Sequence, residues 1–577
     1  MGSNPKKFLL ETLFGLKTFA FLTFNRLTIK NFKFLLSILI FERKMKKVIF
    51  TFVFVLISTA TPLVGQETIG LLANDDTENL SDGYTLFNPL SDNRTFLINN
   101  CGELVNQWSF SDGTSRSSYL LNNGNLLLGN SDRAEIRDWD DNIVWSLNYD
   151  NVLGFTTHHD IEPLPNGNFL VLVWDSYSDV EMAAQGFDTS RGLQTFILEK
   201  IVEIEPVGTN SANIVWEWKM FDHIVQDFDS SKPNHGTVSS NPGLIDINYD
   251  GGFGANFVWA NAIDYNEELD QIIISSRHLN EILIIDHSTT TAEAASNSGG
   301  VYGKGGDFLW RWGNPEVYDN GTASDKKLGL QHDPKWIESG IHKGKISVFS
   351  NDAYGNDDAI SSIHIIDPND NDGIYFLNSD KFLPNDYSWS WDGNILGEPM
   401  RAAIMSGVQI MPNGNALMIE STKGRISEID SNGNTLWVYE IPVSQNMVFE
   451  QFQIPEGNGS FRAHKYSENF SGFDNISFNN FGIIEDQNSI SENCNETLSN
   501  DNFALNTLDY YPNPTNSVVH FEFNNPLEYI AVMDLYGKLL KQKKNSNSIN
   551  LEGLSSGIYL LDVSYGGSSK LLKVVKR

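Results

Sequence analysis

Cysteine is almost missing from this 577-residue chain, which has only Cys101 and Cys494. Two thiols set no disulfide framework, although they are able to pair in an oxidising compartment. No Cys/His cluster has zinc spacing, so no metal site is expected. Basic residues are scarce too. The formal net charge is −33, and ten of the 40 Lys and Arg fall within residues 1–65, beside two Glu. The remainder is therefore strongly acidic, which repels nucleic acid and anionic membranes and excludes a DNA or RNA partner. Any anionic ligand then needs a locally basic pocket. Long apolar runs are also lacking. The run from Val48 to Ile57 is too short for a comfortable membrane span, so no stable span is expected in the mature protein.

That short run belongs to a leader. Met45-Lys46-Lys47 is a charged start, and Ser58 to Gly65 is a small-residue stretch before Gln66. The pattern is that of a signal peptide over 45–65, cut near Gly65. Residues 1–44 are basic and Phe/Leu-rich and precede this complete signal. They point to a wrongly chosen upstream start codon, or alternatively to a second membrane anchor.

Helix signals are scarce after residue 66. Instead, short alternating apolar segments broken by Asn-Gly and Asp-Gly recur, and one pattern repeats: a turn, then a strand carrying Trp. Its first tryptophans are Trp108, Trp145, Trp216, Trp310, Trp389 and Trp437. The shortest gap, 37 residues, is near the length of a four-stranded blade, and longer gaps leave room for insertions. A second repeat agrees with the first. Leu121-Asn-Asn-Gly-Asn125, Leu164-Pro-Asn-Gly-Asn168 and Met411-Pro-Asn-Gly-Asn415 read as hairpin turns joining the innermost strand of a blade to the second. These repeats predict an all-β chain, a six-bladed β-propeller over 80–485. A β-sandwich or β-helix fits the spacing less well.

Residues 486–506, rich in Asn, Ser and Glu, read as a linker. Beyond it, strands are expected near Val518–Phe523, Tyr529–Leu535, Gly557–Tyr565 and Lys570–Val575, as a small β-sandwich-like domain over 507–577. Asp509-Tyr-Tyr-Pro-Asn-Pro514, Leu535-Tyr-Gly-Lys538, Leu554-Ser-Ser-Gly-Ile-Tyr559 and the basic Lys573–Arg577 end resemble the type A sorting domain of the type IX secretion system. The resemblance implies export by that machinery in a Bacteroidetes-like bacterium, with release or surface attachment.

In a propeller, ligands meet the loops at one mouth of the central channel. Three inner-strand starts carry chemistry-bearing residues: Thr157-His158-His159-Asp160, Leu330-Gln331-His332-Asp333, and Trp259-Ala260-Asn261 with Ser275-Ser276-Arg277-His278 one hairpin later. Rotational repetition points His159 and His332 toward one axis. A structural alternative is that each His pairs with its following Asp as a blade cap. Asp367 to Gly373 reads as a solvated turn, since Pro368 falls at the first ligand position expected of a calcium loop. Gly299 to Gly306 follows no strand-to-helix pattern, so a phosphate loop is not expected. His223, His235, His287, His342 and His464 read as surface or loop residues without partners, and Arg462 as structural.

Gly83-Tyr84-Thr85-Leu86-Phe87 with Thr95-Phe96-Leu97-Ile98, the His-His-Asp start and Ile272-Ile-Ile-Ser-Ser-Arg-His278 also occur in a recognisable order. With Gln331-His332-Asp333 before Phe349-Ser350-Asn351-Asp352, they resemble the arylsulfotransferase family from about residue 82 to about 466. That resemblance implies sulfuryl transfer from a phenolic sulfate donor to a phenol acceptor, through a sulfated histidine and without a nucleotide or other cofactor. It places His332 as nucleophile, His159 as a second channel histidine and Arg277 on the sulfuryl oxygens, with His158, His278, Asn261 and Trp259 at the substrate. The family usually has a histidine eighteen residues before the arginine, where this chain has Trp259. A second reading is an exported propeller that binds glycans or other ligands without turnover.

Overall fold

Each tryptophan of the sequence repeat lies on the last strand of a four-strand antiparallel unit. The structure, a computed structural model, describes residues 68–485 and 508–577, apart from 75–77, 112, 193–194, 253, 353–359, 475, 523–526, 528, 535–537 and 566–567. The expected extension 1–44, signal peptide 45–65, linker 486–506 and Cys494 lie outside the described residues.

Six such units occur among the described residues, and their first strands are β1 (Ser117–Leu120), β2 (Ile161–Pro163), β3 (Ala260–Asn266), β4 (His332–Trp336), β5 (Gly407–Ile410) and β6 (Ser460–Tyr466). These strands touch one another in that order, and β6 touches β1 again, which closes a ring of radial sheets, a β-propeller. The closure joins distant parts of the chain: β6 pairs with Tyr84–Pro89, with Tyr84 opposite Tyr466. A closed ring leaves only short edges, so a chain this poor in helix can still satisfy its backbone.

The tryptophans fasten the ring at its periphery. Indole N–H groups only donate, and four of them find an acceptor on the next sheet: Trp108 on Asp138 O at 2.9 Å, Trp145 on Ser211 O at 2.9 Å, Trp216 on Thr289 Oγ1 at 3.2 Å and Trp310 on Leu383 O at 2.7 Å. Trp437 donates to Asn100 O at 2.8 Å and so carries the last full turn back to the first. Apolar faces pack between sheets; Trp145 and Leu147 share one core with Phe169 and Val171 of the following sheet. The three Asn-Gly hairpins join first and second strands, with Gly124, Gly167 and Gly414 at φ of 83°, 90° and 93°.

The propeller begins earlier than residue 80. Gly70–Asn74 adds a fifth strand outside Thr435–Glu440, and its Gly-Leu-Leu-Ala-Asn sequence carries no alternation that marks a strand. Cys101 is disulfide-bonded.

The C-terminal residues form two sheets around one core. Asp509–Tyr511, Val518–Glu522 and Ser548–Asn550 make one; Leu539–Lys544, Tyr529–Met533, Gly557–Tyr565 and Ser568–Lys576 make the other. Val519, Ile530, Val532, Leu561, Val563 and Val574 are buried between them. The sequence reading missed Leu539–Lys544, whose Leu-Leu-Lys-Gln-Lys-Lys is the polar composition that edge strands use against further pairing.

Candidate active site

Three first strands bring unusual backbone to one end of the ring. His159 (φ 58°) stands two residues before β2, Trp259 (φ 48°) directly before β3, and Leu330 (φ 53°) and Asp333 (φ 57°) flank or follow the start of β4. Left-handed conformation in residues with a Cβ costs energy and persists where surrounding bonds hold it. Those bonds are present. Ser117 Oγ donates to His159 O (3.2 Å), Asn261 Nδ2 to Gln331 O (2.8 Å), and Gln331 Nε2 to Ser276 O (2.9 Å) and Glu281 O (2.8 Å). Asn261 is thus fully buried, and its amide ties β3 to the residue in front of His332.

His332 is buried at the head of β4. Asn351 donates through Nδ2 to Ala402 O (2.8 Å) and Met405 O (2.9 Å), which turns its Oδ1 toward His332 Nδ1 at 2.6 Å. An amide oxygen only accepts, so Nδ1 carries the hydrogen and Nε2 keeps its lone pair. The bond at Nε2 among the described residues is a long one, 3.3 Å from the Met405 N–H. Burial drives the imidazole's pKa well below its ordinary value, and the charges of Arg462 and Arg277 add to this against the opposing Asn351 bond.

His159 is wired differently. Trp259 Nε1–H donates to His159 Nε2 at 3.1 Å, so the ring's own hydrogen sits on Nδ1. That Nδ1–H faces His158 Nδ1 at 2.8 Å, and His158 Nε2–H in turn faces Glu199 Oε2 at 2.9 Å. The other carboxylate oxygen, Glu199 Oε1, accepts from Ala260 N–H at 2.8 Å. One indole therefore sets the direction of a whole chain, Trp259 to His159 to His158 to Glu199. Burial lowers His158 to about 3 and drives His159 well below the usual range, with nearby Arg116 contributing to both, while burial raises Glu199.

Neither histidine pairs with the aspartate that follows it. Asp160 accepts from Ser117 Oγ (2.8 Å) and Tyr119 OH (3.0 Å), and Asp333 accepts from Arg462 Nε (2.9 Å). The blade-cap alternative is overturned, because both carboxylates turn to neighbouring strands. Arg277 N–H donates to Trp259 O at 3.1 Å, but its half-buried guanidinium holds no carboxylate among the described residues. His278 donates Nδ1–H to Asn256 O (2.7 Å), lies 5.1 Å from the Trp259 ring and is lowered to about 4 by burial. Trp174, 44 % exposed, stacks on His158 at 4.8 Å and tilts against Trp259 at 6.2 Å.

A family model described as arylsulfotransferase (ASST) matches residues 73–365, which span His159, Trp259, Arg277 and His332. The chain belongs to the arylsulfotransferase family. A second model, the secretion system C-terminal sorting domain, matches residues 509–577. Family membership supports a sulfotransferase-like function, and the sorting domain indicates secretion to the cell surface or outside. Among the described residues no helix is long and apolar enough to cross a membrane. No curated protein matches the chain significantly. Among solved structures, a protein of unknown function from Bacteroides caccae is similar at 13% identity, over 67% of this chain and 100% of that one, with TM-score 0.37. Virginiamycin B lyase from Staphylococcus aureus is 11% identical over 66% and 90% (TM-score 0.30), and the Dos1 propeller 11% over 89% and 97% (TM-score 0.28).

The candidate site also holds residues that sequence reasoning passed over. Trp174 is a tryptophan outside the repeat, a signal open to notice. Glu199 is a fully buried carboxylate in the largely apolar strand Thr195–Val207. Asn351 stood in a quoted motif without a role. Three dismissed histidines need correction, and His464 is one: it is buried on β6, 4.8 Å from the Tyr119 ring. His223 is buried between Asp307 Oδ1 and Ala294 O, both at 2.7 Å. His287 bonds Asp270 (2.7 Å) and Glu203 (3.2 Å), which outweigh burial and raise it to about 9. The partners of His223 and His287 lie 17 to 84 residues away in sequence, beyond local reading.

Proposed function

We propose that this protein moves a sulfuryl group from a phenolic sulfate ester to a second phenol, with His332 Nε2 as the attacking atom. In the first half-reaction the N–S bond forms as the ester S–O bond breaks, and the phenol leaves as phenolate or, after taking a proton, as phenol. In the second, the acceptor oxygen forms a new S–O bond, the N–S bond breaks, and the hydroxyl proton is released. No cofactor enters this balance. The carrying observation is the Asn351 contact: it puts the hydrogen on Nδ1 and leaves a neutral Nε2 lone pair, near a guanidinium without a carboxylate. Neutral imidazole is a competent nucleophile, and its sulfated cationic form a good leaving group. Arg277 then suits oxygens that gain charge, and Trp174 with Trp259 offers faces for a phenyl ring. Trp259, in the place of an expected histidine, acts as a donor that orients His159 and cannot carry a proton onward.

Incubation with a chromogenic aryl sulfate, with and without added phenol, tests this reading. Colour that depends on the phenol, and a labile sulfate adduct on the peptide containing His332 after brief exposure to donor, are expected. Turnover with the adduct elsewhere overturns the nucleophile. Absence of colour under all conditions favours a binding module.

A further inference from the structure

Ten arginines lie between residues 68 and 485, in a chain with 73 acidic residues. Seven of them are paired with a carboxylate. Arg401 is exposed at the surface. The two left, Arg116 and Arg277, are both half-buried, and among the described residues neither guanidinium has a carboxylate partner. A charge withdrawn from water without a counter-ion is costly, so such a pair calls for an anion.

Both lie near His159, carried by the sheets of β1 and β3 that neighbour the sheet of β2. Arg116 directly precedes β1, and its neighbour Ser117 bonds the His159 carbonyl and Asp160. Arg277 is bonded through its backbone N–H to Trp259, whose indole bonds the His159 ring. The Arg116 backbone is itself pinned: its N–H donates to Gly129 O at 2.7 Å, and Asn88 Nδ2 donates to the carbonyls of Ser115 (2.9 Å) and Arg116 (3.1 Å). A fixed backbone with an uncommitted guanidinium is the arrangement of a binding residue. We propose that Arg116 is a second anion-binding residue of the site, which takes, with Arg277, the charged oxygens of a sulfate ester. The proposal rests on the sulfuryl-transfer reading and deepens it: the site holds the donor's anionic group between two guanidinium forks, each able to make two parallel bonds. The desolvation that lowers both arginines, and the influence of Arg116 on His158 and His159, agree with this placement.

The test is calorimetric titration of the full chain with inorganic sulfate, against chloride at matched ionic strength. Wild type is compared with Arg116→Ala, Arg116→Lys and Arg277→Ala, alongside melting temperatures without sulfate. Arg116→Ala should weaken sulfate binding by about tenfold to a hundredfold, the scale of a lost charge-assisted hydrogen bond. Arg116→Lys should recover part of the loss, with the melting temperature little changed in both. With a chromogenic aryl sulfate, the same change should raise KM more than it lowers kcat. Sulfate binding that ignores Arg116, or a wild-type protein that binds no sulfate, overturns the proposal. If donor turns over while Arg116→Ala binds sulfate normally, only this inference falls. If sulfate binding depends on Arg116 but no donor turns over, the transfer reading falls and this one stands.

Discussion

His159 and His332 stand at corresponding starts of β2 and β4, but their rings are committed to different degrees. At His159 both nitrogens are engaged, one by the Trp259 indole and one by His158, and the chain ends on a buried carboxylate. At His332 one nitrogen is fixed by Asn351 at 2.6 Å, and the other has only a 3.3 Å contact. In the proposed reaction, these equivalent positions of a rotationally repeated fold serve as an orienting residue and a reacting one. The difference lies in what each strand start has been given as a neighbour, not in the imidazole itself.

The largest expected effect breaks the comparison outright. His332→Asn should abolish the sulfate adduct and lower donor turnover by about a thousandfold or more, the scale of losing a nucleophile. His159→Asn should leave slow turnover with the adduct still on His332. Equal loss from both changes, measured with chromogenic donor and mass spectrometry, would show that the two rings do not differ in role.

A smaller effect is expected at the residue that sets the tautomer. Asn351→Ala should lower kcat about tenfold to a hundredfold, because the Nδ1 hydrogen loses its acceptor. Asn351→Asp should instead move the acid limb of the pH–rate profile upward, since a carboxylate beside Nδ1 favours imidazolium. In wild type that limb should lie well below pH 6.5, because His332 is held neutral by burial. An acid limb at 6.5 in wild type, or one that Asn351→Asp leaves in place, counts against the assignment. Trp259→Phe should cost less, about tenfold: it removes only the donor that orients His159, and the adduct should still form on His332. Loss of the adduct in that variant would place Trp259 at the reacting atoms.

Much of the ring was legible because its devices are local. Asn-Gly turns report a backbone requirement within five residues, and the tryptophans recur because the same fastening of one sheet to the next is repeated around the ring. Gly70–Asn74 was not legible, since its strand character comes from pairing with Thr435–Glu440 some 360 residues later. At the site, residue types were readable and connections were not. The His-Asp dipeptides invited a local pair, yet Asp333 answers to Arg462, which is 129 residues away. The tautomer of His332 depends on two carbonyls near residue 403, and the direction of the His159 chain on a tryptophan 100 residues distant. Such connections exist only after the ring closes.

The smallest effect separates the histidine chain from the rest of the site through stability. His158 titrates near 3 in the folded protein because burial disfavours its charge, with Arg116 adding to this, against about 6.5 when unfolded. Between those values the unfolded chain holds the extra proton. The contribution of a neutral His158 is therefore fully present above pH 6.5 and is lost as pH falls toward 3, with a slope of at most ~1.4 kcal/mol per pH unit for one group. His158→Gln keeps a donor for Glu199 and removes that titration. Its unfolding free energy, from urea melts at pH 7 and pH 5, should fall by less over this interval than that of wild type, by about 1–2 kcal/mol. His332 remains in the variant and keeps its own acid sensitivity, so a residual slope is expected. An unchanged pH 7 to pH 5 difference would mean that His158 takes up its proton without opening the chain, and the directed hydrogen-bond order from Trp259 to Glu199 would then be wrong.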